Sequence, residues 1–113
     1  MVKDFIHAFL RGLNRPIILW LLSTEPRSGY GLIKELRRLT GQKLKPGLVY
    51  PFLHQLEKGE FVVSNWIEKG KREVKYYSLT KKGESLLDKL HDFFNTPIRE
   101  LIIDLLAGKR ETN

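Results

Sequence analysis

The chain has 113 residues, enough for one domain with one modest core. Its hydrophobic fraction of 42% excludes a disordered chain, and the absence of cysteine excludes a disulfide framework or a thiolate metal site. The net charge of +7 is unevenly distributed: residues 1–83 hold 16 Lys and Arg against 7 Asp and Glu, and residues 84–113 hold 4 against 6. The basic first part indicates a polyanionic partner, of which nucleic acid is the commonest.

Membrane segments are not expected. No apolar run reaches the roughly 20 residues that cross a bilayer. Asp4 and His7 interrupt the apolar core that a signal peptide would need. We therefore expect a cytoplasmic protein with no membrane partner.

Two helices are predicted at the N-terminus. Residues 3–13 place apolar side chains at helical spacing, so this helix is expected to pack on the rest of the protein or on a second copy. The apolar positions are Phe5, Ile6, Phe9, Leu10 and Leu13. Asn14 is predicted to cap the next helix, which opens at Arg15-Pro16 and continues through an apolar run at 17–22. Trp20 lies in that run and is expected in the core.

A further helix is predicted between Ser28 and Gly41. Ser28 suits the N-cap, and Gly41 suits the left-handed position just past the last helical residue, Thr40. The Gly29-x-Gly31 pair lacks the third glycine and the preceding strand of a phosphate loop, so we assign Gly31 to close helix packing.

The next helix is predicted to begin at Pro46 and to end before Gly59, with Gly59 in a left-handed conformation. Val49, Leu53 and Leu56 recur at helical spacing and are expected to face the core. The opposite side carries Gly47, Tyr50, Pro51, His54, Gln55 and Lys58, with Lys43 and Lys45 just before the helix. A short helix with a basic entry and a polar and aromatic exposed side can lie in a DNA major groove.

A β-hairpin is predicted after this helix. Residues 61–67 and 74–79 are rich in β-branched and aromatic residues, and the segment between them has a glycine at the turn and a basic tip. Tyr77 and Leu79 are expected to point inward. Thr80 then suits the N-cap of a further helix.

From residue 15 onward, the predicted order is helix, helix, helix, two-stranded hairpin, helix. This order is typical of a winged helix-turn-helix, in which the third helix enters the major groove and the hairpin is the wing. We therefore predict a mostly α fold with a small β-hairpin, a winged helix-turn-helix with additional N- and C-terminal helices.

Sequence motifs go beyond this topology. They are ILWLL at 18–22, SGYGLIKEL at 28–36, PGLVYPFL at 46–53, Leu56-Glu57, and YYSLTKKG at 76–83. Across roughly residues 15–90 these motifs make the chain resemble the PadR family of transcriptional regulators. The Pro-Gly-x-Val-Tyr-Pro stretch, at its distance from Tyr-Tyr-x-Leu-Thr, is quite specific. The resemblance implies a dimeric regulator, usually a repressor, and some members respond to small aromatic or lipophilic compounds.

Two groups of residues are expected to contact double-stranded DNA. Those expected mainly at phosphates are Lys43, Lys45, Lys69, Lys71 and Arg72, with Arg27 as a further candidate. Those expected nearest the base edges are Gly47, Leu48, Tyr50, Pro51, His54 and Gln55, with the Tyr50 hydroxyl as an alternative phosphate ligand. Family members commonly carry Thr or Ser where this chain has Leu48. Leucine offers an apolar contact, for example to a thymine methyl, in place of a hydroxyl contact.

The C-terminal residues indicate an association surface. Two apolar stripes flank Pro97: Leu86, Leu87, Leu90, Phe93 and Phe94 precede it, and Ile98, Leu101, Ile102, Leu105 and Leu106 follow it. Pro97 favours a break or a sharp kink, with Thr96 capping a new helix. The stripes exceed what a small winged domain covers, which favours a homodimer over a tail folded back on its own domain.

The predicted dimer interface consists of Phe5, Phe9, Leu90, Phe93, Phe94, Ile98, Leu101, Ile102 and Leu105. The chain is thereby divided into an N-terminal helix at 1–14, a winged-helix DNA-binding domain at 15–83 and a C-terminal dimerisation segment at 84–113.

The sequence gives less support to functions other than DNA binding. His7, His54 and His91 lie in separate predicted helices without metal-ligand spacing, and no nucleophile motif is present, so we expect no catalysis, metal or cofactor. One alternative is a ligand-sensing regulator with a small aromatic effector bound between protomers. Its candidate lining is Phe5, Phe9, Trp20, Trp66, Phe93 and Phe94. A second alternative is a winged-helix protein-interaction module, although the basic hairpin tip argues against it.

Overall fold

The computed structural model describes residues 1–110. Over this range the element order is α1 (Val2–Thr24), β1 (Arg27–Ser28), α2 (Gly29–Thr40), α3 (Pro46–Lys58), β2 (Val62–Lys69), β3 (Arg72–Leu79), α4 (Lys81–Phe94) and α5 (Ile98–Leu106). The predicted fold class is confirmed: the chain is mostly helical with a small antiparallel sheet, in a winged-helix arrangement. The last three residues of the predicted segment 84–113 lie outside the described residues.

The N-terminal helix is continuous, so the helix boundary predicted at Asn14 is wrong. α1 runs through Asn14 and holds Pro16 in its interior. Pro16 cannot donate a hydrogen bond to the carbonyl of Gly12, which weakens one turn. Leu10 and Ile18 nevertheless belong to one buried stripe that spans this turn. Burying the stripe against the core favours a single helix over two.

The core lies where α1, α2, α3 and the hairpin of β2 and β3 meet. Its buried side chains are Ile18, Leu19, Leu21, Leu22, Leu32, Leu36, Leu44, Val49, Leu53, Leu56, Val62 and Tyr77. The predicted inward positions are confirmed, because Tyr77 is buried and Leu79 packs against this cluster. The prediction for Trp20 is wrong, because 52% of this residue is exposed. Trp20 lies on the side of α1 that faces away from the core.

The signals predicted at the ends of α2 are confirmed. The Ser28 hydroxyl accepts a hydrogen bond at 3.0 Å from a backbone N–H in the first turn, and Gly41 has a φ of +69°. Gly59, by contrast, has a φ of −82°, and the left-handed residue is Glu60, with a φ of +64°. The predicted end of α3 before Gly59 is therefore confirmed, whereas the left-handed conformation predicted for Gly59 is wrong. A Cβ on Gly59 would lie 2.8 Å from the Phe61 ring, so close packing accounts for the glycine.

The sheet has the strand order β1-β3-β2, and both pairings are antiparallel. β2 and β3 form the predicted hairpin, in which Gly70 takes a φ of +64° at a two-residue turn. The sequence did not predict β1. This two-residue strand exists because Arg27 and Ser28 pair with Tyr77 and Tyr76. β1 thereby brings the start of α2 beside the hairpin.

The predicted break at Pro97 is confirmed, because α4 and α5 are separate helices. Thr80 caps α4, and its hydroxyl accepts a hydrogen bond from a backbone N–H at 3.1 Å. Thr96 does not cap α5, contrary to prediction. Its hydroxyl donates to the Phe93 carbonyl at 2.6 Å, because it is still within reach of the free carbonyls at the end of α4.

The molecule is elongated. Its extents are 63 × 31 × 20 Å and its radius of gyration is 16.3 Å, compared with about 13 Å for a compact domain of this length. Within the described chain, α5 has no buried residue. None of the helices described is both long enough and apolar enough to cross a membrane.

Candidate nucleic-acid interface

Helix α3 has one buried side and one exposed side. Val49, Leu53 and Leu56 pack into the core and fix the helix on the domain. The residues on the other side are exposed: Gly47, Leu48, Tyr50, Pro51, His54 and Gln55. The residues predicted to lie near base edges are therefore all open to solvent.

The entry to α3 is electropositive. Lys43 and Lys45 are exposed in the segment before the helix. The first turn of α3 contains no acidic residue, so these charges are not offset there. The positive end of the helix dipole adds to them, which favours an anion at this end of α3.

The tip of the hairpin carries a second group of positive charges. Lys69, Lys71 and Arg72 surround the turn, and all three are exposed. The Lys69 Nζ lies 5.1 Å from the centre of the Tyr76 ring, which orients the ammonium group without neutralising it. Burial decreases along β2 from Val62 in the core to this tip, so the hairpin projects from the domain as a wing.

A groove separates α3 from the wing, and we call it the wing groove. Its volume is about 360 Å³, and it is lined by Ser28, Gly29, Tyr30, Tyr50, Trp66, Arg72, Glu73, Val74, Lys75 and Tyr77. The aromatic side chains of Tyr30, Tyr50 and Trp66 are exposed there. Aromatic rings beside Arg72 form a surface suited to the sugar-phosphate backbone of a nucleic acid.

Sequence reasoning missed Tyr30 as a site residue and assigned Trp66 to an effector pocket. Side chains alternate along a strand, so Trp66 points to the same side of β2 as Val62 and Ser64. Val62 is in the core and Ser64 bonds to α3, which places Trp66 over the wing groove. The alternation indicates the side of the strand. That α3 and Tyr30 lie opposite Trp66 follows only from tertiary packing.

Gly29 allows Tyr50 to lie in the wing groove. A Cβ built on Gly29 would be 2.3 Å from the Tyr50 ring, so any other residue would displace that ring. The close packing that we assigned to Gly31 therefore occurs at Gly29. Gly31 instead donates its N–H to the Ser28 hydroxyl.

Glu57 connects α3 to both strands of the wing. It accepts a hydrogen bond from the Ser64 hydroxyl on β2 and pairs with the Lys75 Nζ on β3 at 3.2 Å. The Ser64 hydrogen bond, together with Lys75, holds the pKa of Glu57 below its ordinary value. The hydrogen bond with Glu57 in turn raises the pKa of Lys75. Both groups therefore stay charged near neutral pH and hold α3 and the wing at a defined angle.

Arg27, the further phosphate candidate, is engaged within the protein instead. Its Nε donates to the Leu21 carbonyl at 3.1 Å, and its guanidinium group lies within 4.0 Å of Glu25 and Glu35. Its side chain is only 17% exposed. Because Arg27 lies on β1 and Leu21 on α1, their hydrogen bond connects α1 to the sheet.

The predicted dimerisation residues lie on three helices. The exposed ones are Phe5 and Phe9 on α1, Phe93 and Phe94 on α4, and Leu101 and Leu105 on α5. The half-buried ones are Leu90, Ile98 and Ile102. The exposed residues leave large apolar side chains open to solvent on all three helices.

The aromatic residues predicted to line one effector pocket are separated. Trp20 and Phe94 line a groove of about 240 Å³ between α1 and α4, together with Leu87, Leu90 and others. We call it the α1–α4 groove. Trp66 lines the wing groove and not the α1–α4 groove.

These features define a winged helix-turn-helix protein, with an exposed third helix, a basic wing and extra helices at both ends. The sequence pattern of the PadR-like family of transcriptional regulators matches residues 18–89. The chain belongs to the PadR-like family, as its motifs predicted. Its family and relatives are transcriptional regulators and not enzymes.

One curated relative is the transcriptional regulator YqjI of Escherichia coli K12. The chain is 33% identical to it over 82 residues, which cover 71% of this chain and 38% of that protein. The match therefore covers well under half of the length of this relative.

Two solved structures have similar folds. A PadR family transcriptional regulator from Eggerthella lenta has a TM-score of 0.80 and 28% identity, covering 99% of this chain and 94% of that one. A transcriptional regulator from Thermoplasma acidophilum has a TM-score of 0.75 and 32% identity, covering 88% of this chain and 96% of that one.

Proposed function

We propose that the protein is a transcriptional repressor that binds double-stranded DNA sequence-specifically as a homodimer. One observation carries the proposal: Tyr50 of the exposed α3 surface and Arg72 of the basic wing line the same groove. α3 then lies in the major groove, and the wing lies on the backbone or in the minor groove. Repression is the mode of regulation that the family resemblance implies.

The contacts with DNA are of two kinds. Phosphate contacts come from Lys43, Lys45, Lys69, Lys71 and Arg72. Base-edge contacts come from Gly47, Leu48, Pro51, His54 and Gln55, and Tyr50 serves either role. Leu48 offers its methyl groups to a thymine methyl. If a dimer covers about 6–10 phosphates, its DNA affinity falls by about 10³–10⁵ between 50 and 200 mM salt.

A Lys71→Ala/Arg72→Ala variant tests the role of the wing. It is expected to weaken binding to all DNA sequences alike, because phosphate contacts carry no base information. A dimer loses four such charges, so the slope of log affinity against log salt should decrease by about 3–4. Fluorescence anisotropy on two unrelated duplexes across a salt series measures both effects.

The matched control for the wing variant is Arg37→Ala/Lys89→Ala. It removes the same charge from exposed positions on α2 and α4, outside the wing groove. The control should retain the slope of the unaltered protein. Full affinity and an unchanged slope in the wing variant would contradict the assignment of the wing to DNA.

The homodimer is proposed from the exposed apolar residues of α1, α4 and α5. We assign DNA binding to residues 15–83 and dimerisation to residues 84–113, assisted by residues 1–14. A twofold dimer presents two α3 helices to successive major grooves about 34 Å apart, so it binds a nearly palindromic site. Exposed apolar surfaces of this kind are typical of an association interface.

A second candidate function is regulation by a small aromatic effector in the α1–α4 groove. Trp20 and Phe94 are both exposed and line this groove together. The chain has two tryptophans, so Trp66→Phe leaves Trp20 as the source of indole fluorescence. Flat aromatic compounds are expected to quench this fluorescence in a saturable way and to change DNA affinity. Trp20→Phe is the control, and no quenching up to the solubility limit would contradict an effector site.

A further inference from the structure

A second concave basic surface lies beside α3, on the side away from the wing. The N-terminal half of α1 passes the first turn of α3 and encloses two adjoining cavities. The larger, of about 280 Å³, is lined by residues that include His7, Arg11, Lys43, Lys45 and Leu48. The smaller, of about 60 Å³, is lined by Arg11, Asn14, Arg15, Ile18 and Leu48. The cavities share Arg11 and Leu48, and we call them together the α1 cleft.

The α1 cleft is cationic. Arg11, Arg15, Lys43 and Lys45 line it, and no Asp or Glu does. None of these four side chains takes part in an ion pair within residues 1–110. The Arg15 guanidinium lies 5.0 Å from the centre of the Phe52 ring on α3, which orients it without neutralising its charge. An anionic ligand is therefore favoured.

Asn14 gives the α1 cleft a buried polar group. It is 5% exposed, and within residues 1–110 neither its amide nitrogen nor its amide oxygen has a protein partner. Arg11, Asn14 and Arg15 are three and four residues apart, so they share one face of α1. A buried amide without a partner is unfavourable, which indicates that it is paired when the cleft is occupied. Its nitrogen can donate to an oxygen held by the two arginines.

We propose that the α1 cleft binds a phosphodiester of the DNA backbone, on the strand opposite the one that the wing contacts. This inference rests on the proposed function. A helix in the major groove lies between the two sugar-phosphate backbones. Side chains two residues apart on a helix, such as those of Leu48 and Tyr50, point about 200° apart. Tyr50 lines the wing groove, and Leu48 lines the α1 cleft, so the two sites flank α3. Arginine binds phosphate through paired hydrogen bonds, and an amide nitrogen can add a third.

An Arg11→Gln/Arg15→Gln variant tests this proposal, with Arg37→Gln/Lys89→Gln as the charge-matched control. The probe is a duplex that the unaltered protein binds, titrated from 50 to 200 mM salt. The cleft variant is expected to bind at least tenfold more weakly, with a salt slope lower by about 3–4 for a dimer. The control should keep its slope. The Arg15 side chain packs on Phe52, so its replacement also removes a packing contact. The single variant Arg11→Gln tests the cleft while leaving that contact in place, and circular dichroism verifies that its fold is unchanged.

The Asn14→Leu variant separates a binding role from a structural one. It should melt at the same temperature as the unaltered protein or higher, since an unpaired buried amide is removed, yet bind DNA more weakly. A lower melting temperature with unchanged DNA affinity would mean that Asn14 serves only the fold and would remove it from the site.

The outcomes distinguish this inference from the proposed function. If the unaltered protein binds DNA but the arginine variants keep its affinity and slope, the α1 cleft proposal is overturned and the proposed function stands. If the unaltered protein does not bind DNA, both are overturned. If the arginine variants keep the slope but lose a thermal shift produced by inorganic phosphate, the cleft is a small-anion site and the DNA proposal is wrong.

Discussion

Replacing Leu101 and Leu105 by Asp is expected to convert the dimer into a folded monomer and to weaken binding to a palindromic site by about 100-fold or more. These side chains are 66% and 69% exposed, and α5 contributes no buried residue within the described chain. The substitutions therefore leave the core intact. In the proposed dimer each residue lies at an apolar interface, where an unpaired carboxylate is strongly unfavourable. A monomer loses the gain from binding two half-sites together.

Sedimentation and DNA titration of this double variant measure the two effects, and circular dichroism verifies its fold. The matched control is Leu39→Asp/Val63→Asp, which adds the same negative charge at exposed apolar positions on α2 and β2. The control should remain dimeric. A dimer that persists in the Leu101→Asp/Leu105→Asp variant would contradict the assignment of α5 to the interface.

Gly83→Ala is expected to destabilise the protein by about 3 kcal/mol or more. Gly83 lies in the first turn of α4, against the end of α3 and the start of the wing. A Cβ there would be 2.1 Å from the Phe61 carbonyl oxygen and 2.8 Å from Leu79. The carbonyl belongs to the backbone and accepts a hydrogen bond from the Thr80 N–H, so it cannot move without breaking that contact. Helix propensity alone would make the alanine variant more stable by about 1 kcal/mol. The clash therefore reverses the sign of the expected change in stability.

Urea unfolding at a fixed protomer concentration measures this change. Gly12→Ala is the control, because Gly12 lies inside α1 and a Cβ there would meet nothing within 4 Å. The control should be neutral or stabilising by about 0.5–1 kcal/mol. If Gly83→Ala were as stable as the unaltered protein, the packing of α4 against Phe61 described above would be wrong.

Features set by local physics were predictable from the sequence. Ser28 and Thr80 cap helices because their hydroxyls reach N–H groups three residues on, which depends on nothing distant. Gly41 and Gly70 take positive φ values for equally local reasons. The periodicity of α3 identified its buried side correctly, because the helix is half buried along most of its length.

Features set by tertiary packing were not predictable. Asn14 before Arg15-Pro16 is a good helix start, but burial of Leu10 and Ile18 on the same face, on either side of it, made a single helix more favourable. Trp20 stands in an apolar run, yet only one side of α1 is covered. β1 exists only through its pairing with β3. A glycine just past a helix, such as Gly59, typically indicates a left-handed residue. Here the glycine is required by the nearby Phe61 ring and not by the backbone conformation.

The candidate site shows the same division. The residues of α3 and the wing tip were identified because each belongs to one short segment with its own pattern. Tyr30, Arg11 and Arg15 come from other segments, and the pairing of β1 and the path of α1 bring them to the two flanks of α3, whereas Trp66 belongs to the wing itself. No local pattern distinguishes them from ordinary surface residues.

The most direct measurement is a DNA-binding titration at 50 and 200 mM salt on genomic fragments that include the protein's own promoter, with sedimentation of the free protein. We expect a dimer that selects particular fragments and loses about 10³–10⁵ in affinity across this range. Binding without selectivity would contradict the regulator assignment and favour an architectural role. No binding by an intact dimer at low salt would contradict the assignment of α3 and the wing to DNA.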